Sequence, residues 1–433
     1  MPSNPFTFGN PIRDSARFYG REEDIRQIVN RLRSSAHEST SVVGERRIGK
    51  TSLLKHLDNP DIATGLDLPP NEYCMVYIDF QGLTDITPER FWGRVLHKME
   101  RSICLPDLAP EFQKLRNLGN FDLFDLEDLF DTIADAGLTT VLLLDEFEYV
   151  TRNPNFSSDF FGGLRALAIH QNLPLVTATQ RELIDLCHSE ELKGSPFFNI
   201  FANLVLRPFS REEVFEMLDG YMAGTELLFS PREKELVIGL GGGYPFFTQI
   251  AGHYLYEAKK NGYHDDVLLQ DVYENFDAQS DSHFSYMWSR SSESEKITLL
   301  VVISLNRQKQ SKKTTPKLEN LAGIHSRANL DVPELVKRGL LLKNRAEGTY
   351  QLLSPSFERW IAREISAVPG EEEPRASVRE WLKSGGREEL DATSNFLRKF
   401  KKKYWPIVGG LAVDLSMELI GAVTWQVLTK GAI

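Results

Sequence analysis

At 433 residues the chain is longer than one ordinary core, and a prior of about 150 residues per domain sets roughly two to four domains. Hydrophobic residues at 41%, charged residues at 26% and a mean hydropathy of -0.30 describe a globular chain with material for buried cores, and exclude a disordered or fibrous one. A net charge of -11 excludes a surface that is a nucleic-acid footprint throughout, while leaving room for a local basic patch.

The first residues, MPSNPFTFGNPIRD, contain no apolar stretch of the secretory kind. Cys74, Cys104 and Cys187 are odd in number and lack metal-ligand spacing, so buried free thiols in a reducing, cytoplasmic setting are expected. The first chemical signal begins at Val42, in VVGERRIGKTSLLKHL. Gly44, Gly49, Lys50 and Thr51 complete G-x-x-x-x-G-K-[ST] between a short apolar strand and a segment with helical spacing, which is the context a phosphate loop requires. The glycines let backbone N–H groups turn toward phosphates, the helix N-terminus adds a favourable dipole, and Lys50 reaches the β and γ phosphates. Thr51 is then a ligand for Mg2+. The side chains of Glu45, Arg46 and Arg47 within the loop have no assigned direction.

YCMVYIDF from Tyr73 reads as a strand, and TTVLLLDEFEYV supplies the acidic element that a phosphate loop needs. Val141 to Leu144 form an apolar run suited to a strand buried on both faces, with Asp145 and Glu146 at its C-terminal end, where ligands of open α/β sheets bind. Asp145 is the expected Mg2+ partner and Glu146 the base that orients or activates water. LPLVTATQREL from Leu173 reads as a further strand. Its polar tip either senses the γ-phosphate through Thr179 and Gln180, with Arg181 meeting transition-state charge, or simply caps a turn with Arg181 as a surface cation.

GLGGGYP, at Gly239 to Pro245, follows a helical segment and not a strand, so it is a helix stop and not a dinucleotide-binding turn. Ser210 with Glu213, and Ser230 with Pro231 and Glu233, read as capping-box helix starts, making about 208–285 a small helical bundle. From Ser291 to Glu364 the pattern is helix, helix, two short strands and a closing helix. Arg307, Lys309, Lys312, Lys313 and Lys317 form a cationic run that is either a phosphate contact or a solvated loop.

Taken in order, RFYGREEDI, GERRIGKTSLL, LLLDEFE, TATQRE, SPFFNIF and GGGYPFFTQ resemble the STAND-class signalling P-loop ATPases, a branch related to AAA+ and origin-recognition ATPases. The resemblance covers residues 1 to about 365. It implies an α/β fold: a P-loop NTPase parallel sheet with a helical lid, followed by a winged-helix domain and a short C-terminal helical tail. The expected domains are 1–207 for the nucleotide, 208–287 for the lid, 288–366 for the winged helix, 367–395 for a linker and short helix, and 396–433 for the tail. It further implies ATP or ADP with Mg2+, places Phe18, Gly20 and Arg21 at the base or ribose and Ser52 beside Thr51 at the phosphates, and gives Pro245 to the lid. Some members of the group bring a histidine to the nucleotide from the segment equivalent to YQLLSPSF, where this chain has none.

The tail from Phe396 mixes Arg398, Lys399, Lys401, Lys402 and Lys403 with Phe400, Tyr404 and Trp405, and a long apolar run follows. As a simple membrane span it is burdened by Asp414 and Glu418, each costing about 2.5 to 3.5 kcal/mol at a helix centre. It is therefore either a membrane-acting module, its acids facing an interior, or an amphipathic helix docked on protein. The sequence-level expectation is an ATP-driven switch that assembles with copies of itself when a protein or nucleic-acid trigger acts, in a prokaryotic signalling or antiviral setting, with the tail as output. The alternative is a DNA-associated ATPase that reads DNA with its winged helix.

Overall fold

The computed structural model describes residues 3–103, 108–118, 122–307 and 315–366. The linker and tail expected from 367 onward, Cys104, and the cationic run through Lys309, Lys312 and Lys313 lie outside the described residues. Among the described residues no helix is long and apolar enough to cross a membrane. They fall into two compact units: Asn10–Leu206, and the described part of residues 1–9 together with that from Arg207 on.

The first unit is built on five parallel strands: β1 (Ser39–Val43), β2 (Tyr73–Asp79), β3 (Thr139–Asp145), β4 (Leu175–Thr179) and β5 (Phe201–Val205). Their spatial order is β2-β3-β4-β1-β5. Burial explains the sequence text of each strand. β1 and β4 are buried at every residue and β3 at all but its first, which is why β3 reads as an uninterrupted apolar run. β2 lies at an edge and alternates half-buried with buried residues, so only one of its faces is apolar throughout. β5, at the other edge, has a single fully buried residue, Leu204, and its weak pattern carried no strand signal in the sequence.

Helices flank the sheet and start where the chain supplies caps. Thr87 caps the helix Pro88–Ser102, Ser157 caps Ser158–His170, and Asp122 with Asp125 forms a capping box on Leu123–Asp135. Phe80, Phe91, Phe130, Phe147, Phe156 and Phe161 are fully or almost fully buried and close the core between these helices and β3. The order places β1 between β4 and β5, so the loop leaving β1 opens at a reversal of connection direction, at the same sheet edge as the end of β3.

The second unit begins with the helices Arg211–Met222 and Pro231–Gly241, each opened by the capping box read from the sequence, and continues with Pro245–Lys260 and Asp265–Ser289. Gly242 ends the second of these in the left-handed region at φ +61°, and a Cβ there would run into the Leu353 carbonyl. Residues 3–9 pack in this unit. The Phe6 ring stacks 5.8 Å from Phe229 and lies 5.2 Å from Tyr221, and Gly252 leaves room for it, since a Cβ there would meet the ring. Asn4 Nδ2 donates to His253 O at 3.1 Å and to Glu257 Oε1 at 2.7 Å.

Beyond Ser289 come the helices Glu293–Arg307, Leu318–Ile324 and Ala328–Lys337, an antiparallel pair β6 (Leu341–Asn344) and β7 (Thr349–Leu352), and the helix Pro355–Ser366. The sequence shows all of these except Leu318–Ile324, whose seven residues bury only Leu321 and are too short to display a period.

Candidate nucleotide site

The loop after β1 turns through two left-handed residues, Arg47 at φ +69° and Gly49 at φ +105°. Gly49 is the cap of the helix Lys50–Leu57, so its lack of a side chain is what lets the chain enter the helix in this conformation. Gly44 has a different reason: a Cβ would lie 2.8 Å from Ile48 Cγ2 and 3.5 Å from the Leu206 carbonyl oxygen. Glu45 is buried, its Oε1 accepting the Arg46 amide at 3.1 Å, while Arg46 and Arg47 are exposed.

Lys50 is 5% exposed, and its Nζ donates to Gly44 O at 2.8 Å and Glu45 O at 3.3 Å. The ammonium is thereby folded over the loop from the first residue of the helix. Thr51 is half-buried beside it, and the Ser52 hydroxyl accepts the Ile12 amide at 3.0 Å.

Asp145 closes β3 and is 1% exposed. Its Oδ1 accepts the Glu146 amide at 3.0 Å and its Oδ2 accepts the Tyr77 hydroxyl at 2.9 Å. Burial pushes the Asp145 carboxyl above its ordinary value, against hydrogen bonds from Thr51 and Tyr77 that favour the anion. Glu146 follows in a left-handed conformation at φ +52°, and burial, then the neighbouring Glu148, raise its carboxyl to about 7. Lys50 opposes these shifts at Asp145, Glu146 and Glu148 alike, so one buried cation faces three carboxyls.

Thr179 ends β4 fully buried, and its hydroxyl donates to the Arg181 carbonyl at 2.6 Å, which folds the strand tip into a turn. The Arg181 side chain is exposed. Phe18 stacks on His56 with ring centroids 4.1 Å apart, and Gly20 follows at φ +71°. The Arg21 guanidinium is buried, donating to Ile48 O of the loop at 2.9 Å and pairing with Asp24 at 3.2 Å. Phe18, Gly20, Arg21, Gly44, Gly49, Lys50, Thr51, Ser52, Asp145, Glu146, Thr179 and Arg181 all belong to the first unit. Pro245 belongs to the second, where it opens its helix after Gly242, Gly243 and the cap residue Tyr244.

Two residues of this site had no role in the sequence reading. Glu148, three positions after Asp145, is 4% exposed; its Oε1 accepts the Gln180 amide at 3.4 Å and its Oε2 has no hydrogen-bond partner among the described residues. The acids at 145, 146 and 148 were visible as a cluster and could have flagged it. Tyr77 had no such signal, because its partner stands 68 residues away.

Among the described residues no group of three or more His, Cys, Asp or Glu is placed to hold a metal. The hard oxygens of Thr51 and Asp145 beside Lys50 fit Mg2+, which is commonly held by one or two protein oxygens together with substrate phosphates.

Residues 27–307 match the family model described as Novel STAND NTPase 2. An uncharacterized ATP-binding protein of Methanocaldococcus jannaschii is 22% identical over 275 residues, covering 53% of this chain and 70% of that protein. Of solved structures, a Walker-type ATPase of Pyrococcus abyssi is similar with a TM-score of 0.50 and 17% identity, covering 81% of this chain and 97% of that one. The Aeropyrum pernix ORC2 protein, in its ADPNP-ADP complexes, has a TM-score of 0.49 at 15% identity, covering 84% and 98%. The likeness to the Pyrococcus abyssi ATPase is one of fold: a P-loop NTPase sheet with its helices.

Proposed function

The chain belongs to the Novel STAND NTPase 2 family, and from that premise we propose that it binds ATP with Mg2+ at its phosphate loop, hydrolyses it slowly, and acts as a nucleotide-dependent molecular switch. The observation that carries this reading is Lys50, buried over the loop carbonyls and opposed by the three carboxyls at the end of β3. A buried ammonium with its hydrogen bonds going to neutral backbone oxygens has charge to offer an anion. The amides of the loop and of the first turn of the helix Lys50–Leu57 add donors in the same place.

In this reading Lys50 meets the β and γ phosphates, and Thr51 and Asp145 hold Mg2+, which neutralises phosphate charge when bound. Glu146 takes a proton from the attacking water at its carboxylate, a role suited to a carboxyl raised to about 7. The name of the Methanocaldococcus relative, an ATP-binding protein, points to the same ligand.

The switch part rests on the family and on the second unit. The order of three helices, a β6–β7 hairpin and a closing helix supports a winged-helix reading of residues 288–366, and the left-handed helix stop before Pro245 supports the lid reading of 208–287. Moving such a switch from 1:99 to 99:1 takes about 5.5 kcal/mol of differential affinity, more than γ-phosphate contacts readily supply, so a separate trigger completes the scheme. Assembly of copies upon activation is part of the proposal.

The test is steady-state hydrolysis together with particle mass in ADP and in a non-hydrolysable ATP analogue. Glu146→Gln is expected to lower kcat by about a hundredfold or more while nucleotide still binds, and Lys50→Ala to abolish binding. Larger particles should form only with the ATP analogue. Hydrolysis by the wild type no faster than by Lys50→Ala would sink the enzymatic reading, and a mass independent of nucleotide, with trigger candidates added, would sink the switch.

A further inference from the structure

Tyr77, on β2, directs its hydroxyl to the acidic end of the neighbouring strand β3 and has no role in the scheme above. β2 and β3 run in parallel register, with Tyr77 opposite Leu143 and Asp79 opposite Asp145. Side chains alternate along each strand, so Tyr77 and Asp145 share a face as diagonal neighbours, a separation that an aromatic side chain spans. The contact is made: the hydroxyl donates to Asp145 Oδ2 at 2.9 Å, while Oδ1 takes the Glu146 amide at 3.0 Å. Both oxygens of the carboxylate therefore have a partner, one in the backbone and one in this phenol, and Thr51 adds a further hydrogen bond to the group. The ring is itself fixed, with the Lys55 ammonium 5.4 Å from its centroid. Lys55 sits one turn along the helix that begins at Lys50, so the phosphate-loop helix and the acidic strand converge on one tyrosine. An ordinary tyrosine phenol keeps its proton at physiological pH, so this hydroxyl is a donor there.

We propose that Tyr77 is a positioning residue that fixes the Asp145 carboxylate for divalent-cation binding, so that the Mg2+ requirement of nucleotide binding is set in part by the Tyr77 hydroxyl. This rests on the reading of Asp145 as the Mg2+ partner. A hydroxyl donating to a carboxylate makes a charge-assisted bond that favours one orientation of the carboxyl plane. Without the hydroxyl, the carboxyl keeps only its bonds from the Glu146 amide and Thr51 and is less tightly oriented, so the cation must do more of the ordering on binding.

The experiment is binding of a fluorescent ADP as a function of free Mg2+, and in chelator without Mg2+, for wild type, Tyr77→Phe, Asp145→Asn and the double variant, with thermal midpoints alongside. Tyr77→Phe keeps the ring and its contact with Lys55. The Mg2+ concentration for half-maximal tightening is expected to rise about three- to tenfold in Tyr77→Phe, with metal-free affinity unchanged and the thermal midpoint lowered by no more than the loss of one hydrogen bond. On the Asp145→Asn background the same change should add nothing. An unshifted Mg2+ midpoint overturns the inference, as does a lowered thermal midpoint without a Mg2+ shift, which would make the residue a packing element only. An equal shift in both backgrounds overturns it too, because the hydroxyl would then act elsewhere. A wild type whose ADP binding ignores Mg2+ removes the reading of Asp145 itself, and the inference falls with it in a way visible before any variant is compared.

Discussion

Glu148 in the phosphate-loop unit and Asp331 in the helical unit are buried alike, 4% and 6% exposed, yet they are treated in opposite ways by their surroundings. Asp331 Oδ2 accepts the Ser294 hydroxyl at 2.6 Å and the Thr298 hydroxyl at 2.8 Å, with His325 Nε2 at 3.3 Å. Burial pushes its carboxyl up, but hydrogen bonds from His325, Ser294 and Thr298 outweigh that and hold it below the ordinary range. Glu148 accepts one long amide bond, leaves Oε2 unmatched, and is pushed up by burial. A buried acid that gathers three donors on one oxygen ties helices together; one left wanting beside Lys50 and Glu146 is held at a stability cost, as functional sites are. At these two positions the surroundings differ in kind: the first gathers raised carboxyls at the end of β3, and the second surrounds Asp331 with donors from its own and neighbouring helices.

Matched amide substitutions put the comparison at risk. The largest effect is expected from Asp331→Asn, which removes the charge that three donors share and should destabilise the protein by about 2–3 kcal/mol in denaturant unfolding at pH 7. Its folded carboxyl lies below the unfolded value, so the stability it supplies is present above about pH 4 and lost as pH falls through the folded value. The gap between wild type and variant should therefore close in acid; a gap that persists there would mean that shape, not charge, matters at this position.

A smaller effect of the opposite sign is expected at Asp58, whose carboxyl burial raises to about 6 against the pull of Lys98. A folded value above the unfolded one means that its favourable contribution is complete below about pH 4 and is lost as pH rises through 6. Asp58→Asn should then gain about 1–2 kcal/mol at pH 8 and nothing at pH 4. Equal changes at both pH values would show that the carboxyl is not strained.

The smallest change in stability belongs to Glu148→Gln. Neutralising a buried, under-served acid should leave unfolding free energy within about 0.5 kcal/mol of wild type or raise it, while hydrolysis falls about tenfold as the field on Lys50 and Glu146 changes. Destabilisation as large as that of Asp331→Asn would erase the contrast between the units.

Much of the site was legible because its signals are contiguous. The phosphate loop, the acids closing β3, and the Ser210 and Ser230 capping boxes each depend on residues within a few positions of one another, where spacing fixes backbone geometry directly. Buried strands announced themselves by composition, whereas β5 and the helix Leu318–Ile324 bury too little to leave a pattern. Local spacing also left the direction of Glu45, Arg46 and Arg47 open, since a loop side chain turns inward or outward according to what packs around the loop.

What the sequence determined by itself is thus the kind of machine: a phosphate-binding turn, an acidic strand end and the helix starts that follow. Tertiary structure alone decided that Tyr77 grips Asp145, that Glu148 is buried with its Oε2 unmatched among the described residues, that Ser294, Thr298 and His325 converge on Asp331, and that Phe6 is buried with Tyr221 and Phe229. Each of these pairings joins distant stretches of chain through strand register or helix packing. Register and packing are set by the fit of whole surfaces, and no local pattern of residues encodes them.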